Sequence, residues 1–528
     1  MPNPDRSDLS FAYLEPFIMI KTYPAPFGAN LRDEFTVRVR PASGGEWQQL
    51  DTYRVKVDMH DVREASMAYF DMDEPVEVEV TVNRFYYIYT AAIRPLSYRI
   101  EPVIEPRRLT FRLDKPANLS IELNKERFHN LHLFAGPVEN EEAIRAAADV
   151  VIEPDRVPGR IGTFDPNAAL EALDPDKVSG PKRRIFVEAG CYGVAETVWH
   201  IPSHVDVYLA GGVVLQGALS ISRAQDVTIH GRGVLDMAFL AKQTGIGGIR
   251  IDGCRDVTID GITLINPPHY SVCGGMSRRI TIRNLKTFSC EGWSDGIDMM
   301  SCSNVLVEGC FLRNSDDCVA LYGSRWNWRG GTSNVIVRNT TLWADVAHPI
   351  NIGTHGDHEH DGDVLENILF DHIDVLEHHE FQPGYLGVMA INPGDKNTVR
   401  RVTFRNFNIE PFEHGRVLDL EVKFNPTYNP APGRLISDIL LENINVTTGD
   451  GEEPSIIAGY DDIHPVESVR IVNMVRDGRV CATLEDANIE LRDYARGVRI
   501  GAGSDAEAGA DVPHGAALAA APVPKPRP

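Results

Sequence analysis

Apolar and polar residues alternate one for one in short runs along most of this chain, the period of half-buried β-strands rather than of helices. Runs such as Phe35-Thr-Val-Arg-Val-Arg40, Tyr53-Arg-Val-Lys-Val57 and Val76-Glu-Val-Glu-Val-Thr-Val82 are each cut by Pro, Gly or Asp. Strand-and-turn spacing of this kind predicts an antiparallel β-sandwich over residues 1–135. From 136 to 182 the pattern turns irregular or helical, and a connecting segment is expected there. Further on, a single phrase recurs nine times: Asp226-Val-Thr-Ile-His-Gly231, Asp256-Val-Thr-Ile-Asp-Gly261, Arg279-Ile-Thr-Ile-Arg-Asn284, Asn304-Val-Leu-Val-Glu-Gly309, and likewise from Asn334, Asn367, Arg401, Asp438 and Ser468. The starts are separated by 30, 23, 25, 30, 33, 34, 37 and 30 residues.

Strand-type phrases at a period in the twenties to thirties mark a solenoid whose units bury their apolar side only by stacking. No leucine ladder accompanies the repeat, and a propeller blade would need about 40 residues and four strands. A parallel β-helix over 183–500 is therefore predicted, with the flanking aliphatic residues of each phrase pointing inward and the middle one outward. The Asp or Asn that opens most phrases and the Asn or Gly that closes them suit turn conformations other residues avoid. Spacing variation then falls in the turns, where loops grow over one face and build a cleft. After about residue 501 the chain is Ala, Gly and Pro, and a disordered tail is expected over 501–528.

Of the 528 residues 43% are hydrophobic and 24% charged, and 52 Lys+Arg stand against 75 Asp+Glu for a formal charge of -23. Such a balance repels polyanions, so neither nucleic acid nor an anionic membrane is expected as a partner. An oligomer is compatible with the sequence but not predicted by it. No apolar run of membrane-spanning length and no signal-peptide pattern is visible, so a soluble, cytoplasmic protein is expected unless a leader has been removed. Eight cysteines occur without a C-x-x-C pair, which points to reduced, packed thiols.

The chemistry concentrates in Ser294-Asp-Gly-Ile-Asp298 and Asn314-Ser-Asp-Asp-Cys318. Asp295 precedes Asp316 and Asp317 by 21 and 22 residues, close to the local repeat of 25. One turn of the helix brings the three carboxylates to the same side on rungs about 4.8 Å apart. Carboxylates that close repel, so at least one keeps its proton to higher pH, as a general acid beside a general base requires. The competing reading is turn chemistry, since Asp and Asn are common at coil corners.

These residues resemble the polygalacturonase family, glycoside hydrolase family 28, and its relatives the dextranases and isopullulanases of family 49. The ordered family pattern Asn-Thr-Asp-Gly-Ile-Asp, Asp-Asp-Cys, Gly-His-Gly-Ile-Ser-Ile-Gly-Ser has counterparts in Ser294–Asp298, Asp316–Cys318 and Ala347-His-Pro-Ile-Asn-Ile-Gly-Thr354. The entry to the helix, from Phe186 to Gly217, is similar to these enzymes too, and a sandwich before the helix is more like family 49. The resemblance implies an all-β, right-handed parallel β-helix. It implies an inverting hydrolase in which Asp316 protonates the glycosidic oxygen, Asp295 and Asp317 hold and deprotonate water, and His348 tunes a carboxylate. The family's Arg-Ile-Lys, which grips a galacturonate carboxylate, is replaced in Leu386-Gly-Val-Met-Ala-Ile-Asn392. A neutral sugar, of the glucan type, is therefore expected at the cleaved bond, with Arg416 and Lys423 one coil later as partial compensation.

Sugar grooves present aromatic faces to pyranose rings and amides or charges to hydroxyls. The turn after Tyr322, Gly323-Ser-Arg-Trp-Asn-Trp-Arg-Gly-Gly331, carries Arg325, Trp326 and Trp328 beside the acids, and the two tryptophans are expected as sugar platforms. Trp293, His269 and Tyr270 on earlier coils are further substrate-binding candidates, as are His379 and Glu380 from the cleft wall. The histidine-rich loop His355–Asp363 lacks the i, i+4 helical spacing of zinc hydrolases and reads as a solvated acidic loop, or as a calcium site. No catalytic metal and no cofactor are expected. Three functions remain in view: an inverting hydrolase of an α-linked neutral glycan; a pectic hydrolase or β-helical polysaccharide lyase; and a non-catalytic carbohydrate-binding solenoid.

Overall fold

A computed structural model of the chain describes residues 20–154, 161–164, 182–242, 246–382 and 384–501. The expected disordered tail beyond 501 lies outside these. Two sheets form the N-terminal unit: six strands drawn from Ile20–Thr22, Tyr53–Val57, Arg63–Met72, Ala91–Arg94, Ala117–Leu123 and Glu126–Pro137, and five from Phe35–Pro41, Gln48–Leu50, Val76–Val82, Val103–Glu105 and Arg108–Leu113. Pairing is antiparallel except where Arg63–Met72 runs parallel to Glu126–Pro137. The alternation read from sequence holds here. Val37, Val39, Val78 and Val80 are fully buried between the sheets while their neighbours face out.

A 32-stranded sheet, wound as a parallel β-helix, forms the rest. It begins earlier than its sequence phrases do. Val150–Ile152 and Gly162–Phe164 already pair in parallel with Arg183–Val187 and Gly190–His200, so part of the stretch read as a connector is the first coil. On its first strand the register puts Ala147 and Ile152 where later phrases carry their left-handed opening and closing residues.

Each coil contributes to three stacks. The first contains the recurring phrase, as in Asp226 to Gly231 over Asp256 to Gly261 over Arg279 to Asn284. The opening residues of all nine phrases are left-handed, with φ between 55° and 58°, and so are their nine closing residues. Asn and Asp tolerate that region and Gly enters it freely, so the phrase records two corners of the coil. The asparagines also hydrogen-bond from coil to coil: Asn334 donates to Asn304, Asn367 to Asn334 and Asn473 to Asn443.

The sandwich packs on the second stack. Tyr53, Val55, Met67 and Phe134 meet Val234, Ile265, Phe288, Phe311 and Trp343 in one apolar cluster. Buried ion pairs frame it. Arg94 contacts Glu122 and Glu410, the latter at 2.6 Å, and Arg232 meets Asp71 at 2.9 Å. Arg313, wholly buried, bonds Asp345 at 2.8 Å and reaches Asn130 of the sandwich at 2.9 Å. Charges so enclosed are tolerated only because each guanidinium has partners around its fork. All eight cysteines are free and buried, as expected. No helix among the described residues is long and apolar enough to cross a membrane.

Candidate active site

Where the chain turns from the second stack into the third, successive coils place Ser294-Asp295, Asp316-Asp317 and Ala347-His348 above one another. The backbone binds them in order: Gly296 N–H donates to Asp317 O at 2.8 Å and Cys318 N–H to His348 O at 2.8 Å. Asp295, Asp316 and Asp317 each present an oxygen within 4.8 Å of the others. This convergence is what the one-coil spacing predicted. The turn is held from behind by Asn314, which donates to Ser289 Oγ and Ser294 O at 3.1 Å, next to the buried Arg313.

The three carboxylates differ in their surroundings. Asp317 is enclosed by donors: His348 Nδ1 at 2.7 Å, the His348 N–H at 3.1 Å, Asn351 Nδ2 at 2.7 Å and the Tyr322 hydroxyl at 3.1 Å. Burial works against its charge, but His348 and these hydrogen bonds outweigh it and hold Asp317 below the ordinary carboxylate range. His348 answers in kind: burial opposes its charge, Asp317 outweighs that, and its proton affinity rises. Asp316 is pushed up to about 7 by burial and then by the charge of Asp317, against two backbone donors, the Trp293 N–H at 2.7 Å and the Asp317 N–H at 3.1 Å. Trp293 adopts a left-handed φ of 62°. A non-glycine residue held there signals that its surroundings impose the geometry.

Asp298 is a member of the site whose role sequence reasoning did not assign. It sits on the outward row of the third stack, wholly buried, and no donor faces either of its oxygens or Asp295 Oδ1. Burial first, then Asp298 for Asp295 and Asp317 for Asp298, raise both acids well above the normal range. Two such carboxyls side by side hold a proton between them. Asp295, expected as a second ionised base, is thus held protonated or sharing a proton. The signal was the i, i+3 spacing in Ser294-Asp-Gly-Ile-Asp298, which sends the second Asp out of the strand toward the first.

Around the acids, the aromatic candidates divide. Trp293 and Trp326 are 59% and 49% exposed, and Tyr270 lies 6.0 Å from Trp326 by ring centroid. His269 stands 4.3 Å from Tyr270 and 6.2 Å from Trp293, completing a wall on the N-terminal side. Trp328 is not a platform. Its ring is buried against Gly275, where even a Cβ would collide, and Nε1 donates to Asp252 at 2.8 Å. It fixes the loop that presents Trp326. Tyr322, also buried, serves Asp317 rather than the open groove. Arg325 lies 5.0 to 6.0 Å from the rings of Trp326, Tyr322 and Tyr270 and has no carboxylate in ion-pair range among the described residues, although it offsets the charge of Asp298 and Asp295.

On the C-terminal side, Glu380 is buried and accepts the Gln382 N–H at 2.6 Å, while His379 meets Phe381 edge-to-face and faces Glu413 at 3.6 Å. The outward row continues through Ala390 and Asn392 to Asp419 and Glu421. Arg416 and Lys423 do not stand free: Arg416 meets Glu453 at 3.1 Å and Lys423 meets Asp419 at 3.2 Å. In the loop 355–363, Asp363 accepts the Ser324 and Asp357 N–H groups and His360 pairs with Asp357, so its ligand atoms do not converge. Among the described residues only the Asp295, Asp316 and Asp317 trio has metal-like spacing. Both Asp317 oxygens are already taken by protein donors.

The model of the family described as "Glycosyl hydrolases family 28" matches residues 222–482, and the fold with its ordered acidic motifs is that of a polygalacturonase-like, dextranase-like parallel β-helix. An exopolygalacturonase A of Aspergillus niger is 24% identical over 225 residues, 39% of this chain and 49% of the relative. A probable endo-xylogalacturonan hydrolase A of Neosartorya fischeri is 24% identical over 217 residues, 39% and 50%. The chain thus spans about half the length of the curated relatives it matches. Among solved structures, Dex49A from Penicillium minioluteum is similar with a TM-score of 0.58 at 13% identity, covering 91% of this chain and 96% of that one. The family 28 exopolygalacturonase of Yersinia enterocolitica gives 0.50 at 14% identity, covering 81% and 95%.

Proposed function

We propose that the chain hydrolyses an α-glycosidic bond of a glycan with inversion, the sugar at the cleaved bond being neutral. The observation that carries this reading is the divergence of two adjacent carboxyls: Asp317 is kept ionised while Asp316 keeps its proton up to about 7. Asp316 then protonates the leaving oxygen, and a water held at Asp317 loses its proton to it as the water attacks the anomeric carbon. The Asp295–Asp298 pair shares a proton beside them and offers hydrogen bonds to water or sugar. His348 receives no proton from the substrate; it holds Asp317 in place and ionised.

The closest oxygens of the trio are nearer than the roughly 6.5–9.5 Å common between the carboxyl groups of inverting enzymes, so inversion rests on the family 28 match. Neutrality at the cleaved sugar is supported by Ala390 and Asn392 on the outward row and by Asp419 and Glu421 on the next rung. A uronate carboxylate there would meet acids.

A second reading, a pectic hydrolase, is favoured by Arg325 and by the names of the relatives. The experiment is product analysis on dextran, pullulan and galacturonan oligosaccharides, with proton NMR of the first-formed anomer. Cleavage of a neutral α-glycan with inversion is expected; a retained anomer, or an unsaturated product absorbing in the ultraviolet, overturns it.

A further inference from the structure

Over the outer face of the first stack, arginines are met by acids of neighbouring coils: Arg279 by Asp256 at 2.5 Å, Arg338 by Glu308 at 2.6 Å, Arg405 by Asp371 at 2.7 Å. A chain at -23 has acids to spare, so such pairing is the rule. At one corner, between the third stack and the first, several arginines together lack such a partner. There Arg223, Arg255 and Arg278 from three successive coils and Arg329 from the loop 323–331 line an open hollow of about 600 Å³ that contains no carboxylate. None of the four has an acid within ion-pair distance among the described residues. Arg255 bonds the Gln225 amide and Arg329 the carbonyls of Trp326 and Trp328. Of the nearest acids, Asp256 is held by Arg279, and Asp252 by Trp328 and Arg250.

Four unpaired guanidinium groups around one polar hollow repel each other and focus a positive potential. Arg223 and Arg278 present forks that match a carboxylate, while those of Arg255 and Arg329 are partly engaged by Gln225 and the loop carbonyls. Arg255 and Arg278 are register partners on adjacent rungs, and Arg223 lies at the corner of the coil before, two residues ahead of Gln225, which holds the matching rung position; its N–H bonds Asp252 O at 2.7 Å. Two rung cations about 4.8 Å apart, flanked by Arg223 and Arg329 along the same hollow, suit a chain carrying several carboxylates better than a lone anion. No aromatic ring lines the hollow to stack a nucleobase.

We propose that this corner is an accessory binding site for a uronate-bearing polysaccharide, which anchors an acidic stretch of the same polymer whose neutral linkage is cleaved. Arg329 belongs to the loop that carries Trp326 and Arg325, so that loop divides the accessory site from the catalytic cleft and touches both. Only the link to catalysis rests on the function proposed above; binding stands alone.

The test uses full-length Asp316→Asn protein, with and without Arg223→Gln/Arg278→Gln, titrated calorimetrically with a galacturonan oligomer of about ten residues, a dextran oligomer of equal length, a single-stranded oligonucleotide and inorganic sulfate. The galacturonan oligomer is expected to bind, with affinity falling about tenfold in the arginine variant and steeply with salt. The dextran oligomer is expected not to lose affinity in that variant. The proposal is overturned by unchanged galacturonan affinity, by tighter oligonucleotide binding, or by sulfate binding as tightly as the oligomer. The exposed arginines make little of the fold; Arg278→Gln alone, checked by thermal melting, covers a failure of the double variant. In protein with Asp316 restored, the double variant is expected to raise KM on long uronate-bearing polymers with kcat and short neutral substrates unchanged. Intact hydrolysis with no binding loss defeats this proposal alone, and binding without hydrolysis defeats only the catalytic reading.

Discussion

His348 Nδ1 and Asp317 Oδ1 stand 2.7 Å apart on adjacent coils, both buried, and each raises the other's tendency to be charged. Removing the imidazole takes away the largest influence that keeps Asp317 ionised. His348→Ala is therefore expected to lower kcat by about 10–100-fold, within the usual range for losing part of an acid–base pair, and to move the acidic limb of the pH profile upward. A rate–pH profile with an unmoved acidic limb contradicts the assignment. His348→Gln, which can still donate to Asp317, is expected to recover part of the rate.

Asp316 supplies the opposite limb. With its proton retained to about 7, turnover falls as pH rises through that value, because the acid form is lost. Asp316→Asn is expected to remove about 10²–10⁴ of the rate while leaving the thermal midpoint within a degree or two. Turnover of an α-glycan by this variant at near wild-type rate refutes the role.

The pairing of Asp295 with Asp298 makes a prediction about stability. Both folded-state proton affinities lie above the unfolded value, so the folded protein binds more protons and loses stability as pH rises from about 4 toward neutrality. Asp298→Asn removes one carboxyl from that contest. It is expected to stabilise the protein by about 1 kcal/mol or more at pH 8 and to give no gain below pH 4, measured by thermal melting across pH. An equal shift at every pH would show that packing, not charge, governs Asp298.

The parts of the molecule that repeat were legible in the sequence; those that occur once were not. The left-handed corners impose Asn, Asp and Gly on nine coils, so the β-helix and the register of Asp295 with Asp317 followed from spacing. The first coil at Val150 carries no such corner residues and passed for a connector. The buried Asp419 and the half-buried Glu421, too, lie among coils of ordinary pattern. Whether an aromatic in a loop faces sugar or core depends on a φ angle and on which glycine lies opposite. The sequence Arg325-Trp-Asn-Trp-Arg329 contains neither fact.

That loop yields a paired test. Trp326 is half-exposed at a left-handed φ of 51°, and Trp328 is buried over Gly275. Trp328→Ala is expected to destabilise by about 3–5 kcal/mol locally or globally and to loosen the loop. Trp326→Ala is expected to leave the melting midpoint nearly unchanged and to raise KM about 3–10-fold, the worth of one sugar–aromatic face. Equal losses of stability in the two variants would refute the division.

Arg313 ties the sandwich to the catalytic turn, and it sets the last expectation. Its guanidinium is wholly buried, bonded to Asp345, Asn130 and the Arg127 carbonyl and lying 4.1 Å from the Trp343 ring. Arg313→Met leaves Asp345 charged, buried and without its cation, a loss of about 3–5 kcal/mol. Since Asn314 and Asp316 follow directly on the same strand and turn, activity is expected to fall with stability rather than separately. The double variant Arg313→Met/Asp345→Leu removes both charges and is expected to recover most of the melting temperature, because a buried ion pair contributes little net stability over an apolar pair of similar volume. Were the double variant to melt no higher than Arg313→Met, the stability of this interface would lie in the hydrogen bonds to Asn130 and Arg127 rather than in the pairing of charges.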